Sequence, residues 1–174
     1  TLETLAGIIR AKVDGPNVKV KLTAPENLRQ DIDVELNGTR FQVDSLNTGV
    51  PHAIIYSKNV DENNVKEVGN GVRFHEEFAP AGTNVNFVEK VSDNALKVRT
   101  YERGVEDETL ACGTGVVASV LLSSYKKMVQ PPVAVETRGG ELLKVDFDPS
   151  DSPVTDVYLE GITRIAFEGT LVEY

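Results

Sequence analysis

A single cysteine, Cys112, is present in 174 residues, so no disulfide can close within the chain and nothing points to an oxidising compartment. Basic residues are in deficit. Eighteen Lys and Arg stand against 27 Asp and Glu, and the net charge of −9 disfavours non-specific binding to nucleic acid or to an anionic membrane. Any anionic ligand must therefore be captured by a local site. Long apolar runs are lacking as well: Val116-Val117-Ala118-Ser119-Val120-Leu121-Leu122 is too short to span a bilayer. The N-terminal residues do not have the basic-then-apolar layout of a signal peptide, so a cytoplasmic location is expected. Histidine is nearly absent, and neither His52 nor His75 has a second ligand at metal-binding spacing, so no metal site is expected. No internal repeat, low-complexity tract or long linker breaks the sequence.

What is present is the composition of an ordinary globular protein, 40% hydrophobic and 26% charged, which excludes a disordered chain. Thr1 stands where an initiator Met would, and Thr1 to Gly7 reads as the start of a strand already under way. A piece of a longer chain is expected. β-branched residues at alternating or near-continuous spacing, bounded by turn residues, predict strands near Ile8–Val13, Val18–Leu22, Asp31–Leu36, Arg40–Asn47, His52–Tyr56, Asn84–Val91 and Ala95–Tyr101. Further strands are predicted near Val133–Thr137, Leu142–Phe147, Val154–Leu159 and Ile165–Val172. Tight turns fall at Asp14-Gly15, Asn37-Gly38, Asp93-Asn94 and Gly139-Gly140.

Only two helices are predicted, one over Glu62–Val68 ending at Gly69 and one from Gly113 to about Lys127, stopped before Pro131-Pro132. The second is apolar almost all round, through Val116, Val117, Ala118, Val120, Leu121 and Leu122, and must be buried on most sides. A buried helix amid many strands gives an α+β fold, a mainly antiparallel, barrel-like sheet wrapped around one central helix with Cys112 at its mouth.

Cys112 lies between the charged run 101–109 and the turn Gly113-Thr114-Gly115. A helix start offers unpaired N–H groups and the positive end of the helix dipole, which hold a carboxylate and lower the pKa of a cysteine placed there. An isolated cysteine is more often a small packed side chain, and an adjacent Glu-Arg pair is more often a solvated strand end. Here the flanking residues decide otherwise.

Taken together, Arg99-Thr100-Tyr101-Glu102-Arg103-Gly104, then Glu108-Thr109, then Ala111-Cys112-Gly113-Thr114-Gly115 resemble the C-terminal catalytic motif of the diaminopimelate epimerases. Asn47-Thr48-Gly49-Val50-Pro51-His52 and Gly82-Thr83-Asn84-Val85-Asn86-Phe87 fit the same family in the same order, as do Gly139-Gly140-Glu141-Leu142 and Leu159-Glu160-Gly161. The resemblance implies a reaction on LL- and meso-2,6-diaminopimelate in lysine and peptidoglycan precursor synthesis, with neither pyridoxal phosphate nor metal. Two cysteines on opposite sides of one α-carbon carry the proton, and by resemblance Cys112 is one of them. Gly113 and Thr114 would bind the reacting carboxylate through backbone N–H groups. Glu102 and Arg103 resemble the pair that holds the distal amino-acid end, where a fork of N–H donors grips a carboxylate and an anion accepts from an ammonium. Glu102 also matches a residue that tunes the thiol. Asn84 matches a substrate-binding asparagine, with Asn86 close enough in sequence to compete for the role. His52 matches a histidine that sets thiol protonation, a use suited to a side chain titrating near neutral pH.

Two departures stand out. Val50 replaces an asparagine that several family members place before Pro-His, and the family's other cysteine, in a motif like Cys-Gly-Asn-Gly-x-Arg, has no counterpart here. The expected organisation is therefore residues 1–22 as strands completing an absent N-terminal lobe, 23–164 as the C-terminal catalytic lobe, and 165–174 as a strand returning toward that absent lobe. The implied partners are diaminopimelate, the N-terminal lobe of the same enzyme and a second copy in a homodimer. The chain alone is expected to be inactive. Two alternatives stay open, another racemase or isomerase of the same superfamily and a non-catalytic amino-acid-binding domain.

Overall fold

The computed structural model describes residues 1–4, 7–151, 153–170 and 172. Among the described residues twelve strands form one mixed sheet: β1 (Leu2–Thr4), β2 (Gly7–Asp14), β3 (Asn17–Lys21), β4 (Glu26–Leu36), β5 (Thr39–Asn47), β6 (Pro51–Tyr56), β7 (Asn84–Ser92), β8 (Ala95–Glu102), β9 (Asp107–Thr109), β10 (Val133–Thr137), β11 (Leu142–Phe147) and β12 (Val157–Ile162). Their order is β1-β2-β3-β12-β11-β10-β8-β7-β6-β5-β4, with β9 on the side of β8. Hairpins make most pairs antiparallel. The two parallel pairs, β6 with β7 and β8 with β10, are spanned by the two α-helices, α1 (Val65–Arg73) and α2 (Gly113–Tyr125), as parallel pairing requires of its crossovers.

Period-two alternation splits the central strands between two cores. On one face Ala53, Ile55, Val85, Phe87 and Tyr101 pack with Val65 and Val72 of α1. On the other, Leu46, Ile54, Val88, Leu96 and Val98 pack with Val116 to Leu122 of α2 and with Val135, Val145 and Val157 from the far strands. Residues Gly115 to Ser123 of α2 are buried without a break, because β5 to β8 lie against one side of it and β11 and β12 against another. The expected α+β fold, a sheet wrapped about one buried helix, is what forms. The far end of α2 is tied down by Lys126, whose Nζ lies 3.1 Å from the carboxylates of both Asp31 and buried Asp44, the cation sitting where the helix dipole favours it.

Four expected elements differ. The strand expected over Asp31–Leu36 begins five residues earlier, at Glu26, because its pairing with β5 continues through Arg29 to Glu26 across two shifts of register. The first helix begins at Val65 and runs through Gly69 to Arg73. Asn64 caps it, accepting from the Glu67 N–H, while Gly69 does not end it but lets it approach β8, where a Cβ would stand 2.5 Å from that of Tyr101. β12 starts at Val157, three residues late, since Val154 enters the core before pairing with β11 begins at Phe147 and Val157. The strand expected over 165–172 is not formed at 165–170 or 172, and residue 171 lies outside the described residues. Thr163 donates to the Pro16 carbonyl through both N–H (2.7 Å) and hydroxyl (3.1 Å), and beyond it Ile165 and Phe167 stand 83% and 86% exposed with no described strand to pair with.

Candidate active site

Register brings the site together. His52 on β6 is directly opposite Asn84 on β7, and the next residue of β7, Val85, is opposite Tyr101 on β8. His52, Asn84 and Glu102 thus gather at one end of three adjacent strands, and the first turn of α2 meets them there.

Cys112 is the N-cap of α2, with extended backbone (φ −132°, ψ 103°). Among the described residues the Gly113 and Thr114 N–H groups have no acceptor, which is what a helix start provides to an anion. Both glycines of the turn have close neighbours, and at Gly115 the neighbour is held in place by its own hydrogen bonds. A Cβ on Gly113 would lie 2.9 Å from Leu159 Cδ2, and one on Gly115 would overlap the side-chain oxygen of Asn86. Thr48 adds a brace by donating its hydroxyl to the Thr114 carbonyl at 3.0 Å.

The half-buried thiol is in the protonated form at neutral pH. Burial pushes its pKa up, the neighbouring Glu102 carboxylate pushes the same way, and hydrogen bonds from the Thr114 hydroxyl and the Gly115 N–H pull it back. The lowered pKa expected of a cysteine at a helix start is therefore not reached in this chain. The Thr114 hydroxyl lies 3.6 Å from Cys112 Sγ and 3.0 Å from His52 Nε2. His52 is wholly buried, and its pKa is held down to about 3 by burial first and the Arg103 charge second. The imidazole is therefore neutral near pH 7 rather than titrating there, and its hydrogen bond goes to the Thr114 hydroxyl that lies between it and the thiol.

Asn84 Oδ1 accepts from the Arg103 N–H at 2.9 Å and its Nδ2 donates to the Pro51 carbonyl at 3.1 Å, so it fastens the Arg103 backbone to β6. The Arg103 guanidinium reaches the Ala81 carbonyl at 3.2 Å. Asn86 is fully buried, whereas Asn84 is 6% exposed. The segment leading to Cys112 is held by Glu108, which takes both Arg99 Nε (2.6 Å) and Arg99 Nη2 (2.7 Å) in a bidentate pair. Cys112, Gly113, Thr114, His52, Glu102, Arg103 and Asn84 are thus brought to one place. Thr48, Asn86 and Thr100 belong to the same network; each lies in one of the segments that carry the resemblance, with no role expected of Thr48 or Thr100 from sequence. Among the described residues no three His, Cys, Asp or Glu side chains are grouped as a metal ion would need, and no helix is long and apolar enough to cross a membrane.

Residues 45–158 match the family described as diaminopimelate epimerase. The chain is 47% identical over 174 residues to a diaminopimelate epimerase from Aquifex aeolicus, covering 98% of this chain and 61% of that protein. It is 42% identical to another from Hydrogenobaculum, covering 97% and 61%. Among solved structures, a probable proline racemase from Agrobacterium radiobacter superposes with a TM-score of 0.72 at 17% identity, over 97% of this chain and 60% of that one, a likeness of fold. The chain spans about three fifths of the length of the curated relatives it matches.

Proposed function

The chain belongs to the diaminopimelate epimerase family, and from that membership we propose that it supplies one of two proton-carrying thiols, together with the carboxylate cradle, of an enzyme interconverting LL- and meso-2,6-diaminopimelate for lysine and peptidoglycan precursors. The observation that carries the reading is the Cys112 thiol at the α2 N-terminus with Glu102 and Thr114 against it and neutral His52 one hydrogen bond behind. In the forward direction a thiolate from outside these residues takes the α-proton, breaking C–H and forming S–H. Cys112 then gives its own proton to the opposite face, breaking S–H and forming the new C–H. No electrons are lost or gained. The reverse reaction exchanges the two roles.

Charge flows onto the α-carboxylate as the proton leaves, and the Gly113 and Thr114 N–H groups would bind that state more tightly than the ground state. The protonated form favoured at Cys112 suits the donor half of this cycle. Arg103 and Glu102 are the pair for the distal carboxylate and ammonium, and Asn84 positions the Arg103 backbone. The Val50 side chain offers no hydrogen bond where the resemblance places an asparagine, leaving one distal contact fewer.

The chain has one cysteine, and we assign the second thiol to an N-terminal lobe. The exposed apolar side chains of Ile8, Val13, Ile162, Ile165 and Phe167 are the surface we assign to its docking. Assaying LL-to-meso conversion by the 174-residue chain, alone and joined to the N-terminal lobe of a relative, tests the reading. Turnover only in the joined form is expected, and robust turnover by the chain alone would contradict it.

A further inference from the structure

Asn86 occupies a place that the epimerase reading does not require. It touches no ligand surface, yet it is wholly buried on β7 under the first turn of α2, at a spot where any residue larger than glycine at 115 would collide with it. Its side chain is fully engaged. Nδ2 lies 3.1 Å from the Ala53 carbonyl and 3.1 Å from His52 Nδ1, and Oδ1 receives the Thr100 hydroxyl at 2.9 Å.

These contacts leave no freedom in the proton positions. A carbonyl can only accept, so the atom beside Ala53 must be the amide NH2, and the oxygen must face Thr100. One NH2 proton goes to Ala53 and the other to His52 Nδ1, which has to present a lone pair. The single proton of the neutral ring then resides on Nε2 and points at the Thr114 hydroxyl, 3.0 Å away. A hydroxyl that accepts there keeps its own proton for another partner, and the remaining one is Cys112 Sγ at 3.6 Å. We infer that Asn86 is a positioning residue: it fixes the His52 tautomer and so aims the Thr114 hydroxyl proton at the Cys112 sulfur, where it stabilises the thiolate formed in each catalytic cycle. The thiolate's purpose rests on the epimerase reading, while the proton arrangement does not.

The charged groups acting on this relay are Glu102 on the thiol and Arg103 on the imidazole; every link between them is neutral. The direction of each hydrogen bond is thus set by geometry over the working pH range.

The chain has two histidines and one cysteine, so both ends of the relay can be read directly. Nitrogen-15 NMR of the histidine rings should show His52 with a bare Nδ1 and a protonated Nε2. Because free imidazole also favours that form, the stricter arm is Asn86→Asp, in which an acceptor replaces the donor and should move the proton to Nδ1. Iodoacetamide alkylation of Cys112 against pH should then show an apparent pKa about one unit higher, roughly tenfold less thiolate near neutrality. Asn86→Leu, which adds no charge, should shift it in the same direction. On a Thr114→Val background, where the hydroxyl is gone, Asn86→Leu should change alkylation little. A parent protein with Nδ1 protonated, an Asn86→Asp ring that keeps Nε2–H, or an Asn86→Leu effect undiminished without the Thr114 hydroxyl would overturn the assignment. None of these measurements needs substrate, so an inactive enzyme and a failed relay give different results.

Discussion

The Nε2 of His52 lies 3.0 Å from the hydroxyl of Thr114, and this contact joins the interior of the sheet to the first turn of the buried helix beside the thiol. Replacing Thr114 with Val removes the hydroxyl at nearly constant volume. It leaves a buried N–H of His52 without an acceptor, which should destabilise the fold by about 1–3 kcal/mol. The Cys112 pKa should rise further, since the Thr114 bond is one of the two that hold it down. Urea unfolding and alkylation kinetics read the two effects separately.

His52 makes stability depend on pH in a defined direction. Its folded pKa is near 3 against 6.5 for the unfolded chain, so between these values the unfolded chain binds the proton and the folded one does not. The contribution is complete above about pH 6.5 and is lost as pH falls toward 3, at a slope approaching 1.4 kcal/mol per unit from this residue alone. Chemical denaturation at pH 7, 6 and 5 should show the decline, accompanied by a His52 ring that does not titrate in the folded protein. A folded-state titration of His52 near pH 6 would contradict it.

Gly115 should not tolerate alanine. In an exposed helix the change would stabilise by about 1 kcal/mol, but here the added methyl meets the Asn86 oxygen, itself held from three sides. The clash should win, with a net loss of roughly 1–3 kcal/mol in thermal or urea unfolding.

Arg99 and Glu108 form a bidentate pair with side chains only 12% and 11% exposed. Glu108→Gln keeps the shape and loses the charge. A cost of about 2 kcal/mol is expected, together with faster amide exchange over residues 107–112, the segment that delivers Cys112. Unchanged exchange there would show that the pair does not hold this segment.

Much of this architecture is written locally. The Asn37-Gly38 hairpin is visible because both residues adopt positive φ (51° and 80°), which few residue types do easily. α2 is visible because it is apolar on every side, and the residues Cys112 to Gly115 announce its start. Other features exist only once strands are in register. The sequence puts Asn86 on a strand near Asn84, but its bond to His52 exists only once β6 lies parallel to β7 and brings the imidazole beside it. The same holds for Gly69, whose neighbour Tyr101 comes from a distant strand. The start of α1 was legible in principle: Asn64 accepts from the Glu67 N–H and donates its side-chain amide to the Glu67 carboxylate, and an N-cap Asn with Glu three residues on is a sequence signal. The thiol's raised pKa was not legible, because burial and the placement of Glu102 outweigh the helix start only in three dimensions.

The most direct test of the central claim is LL-to-meso conversion in D2O by the chain joined to the N-terminal lobe of a relative, with Cys112 and with Cys112→Ser. The account predicts deuterium at the inverted α-carbon of the product, and a loss of turnover of at least about 10³-fold in the variant with diaminopimelate binding retained. Turnover preserved in Cys112→Ser would contradict it.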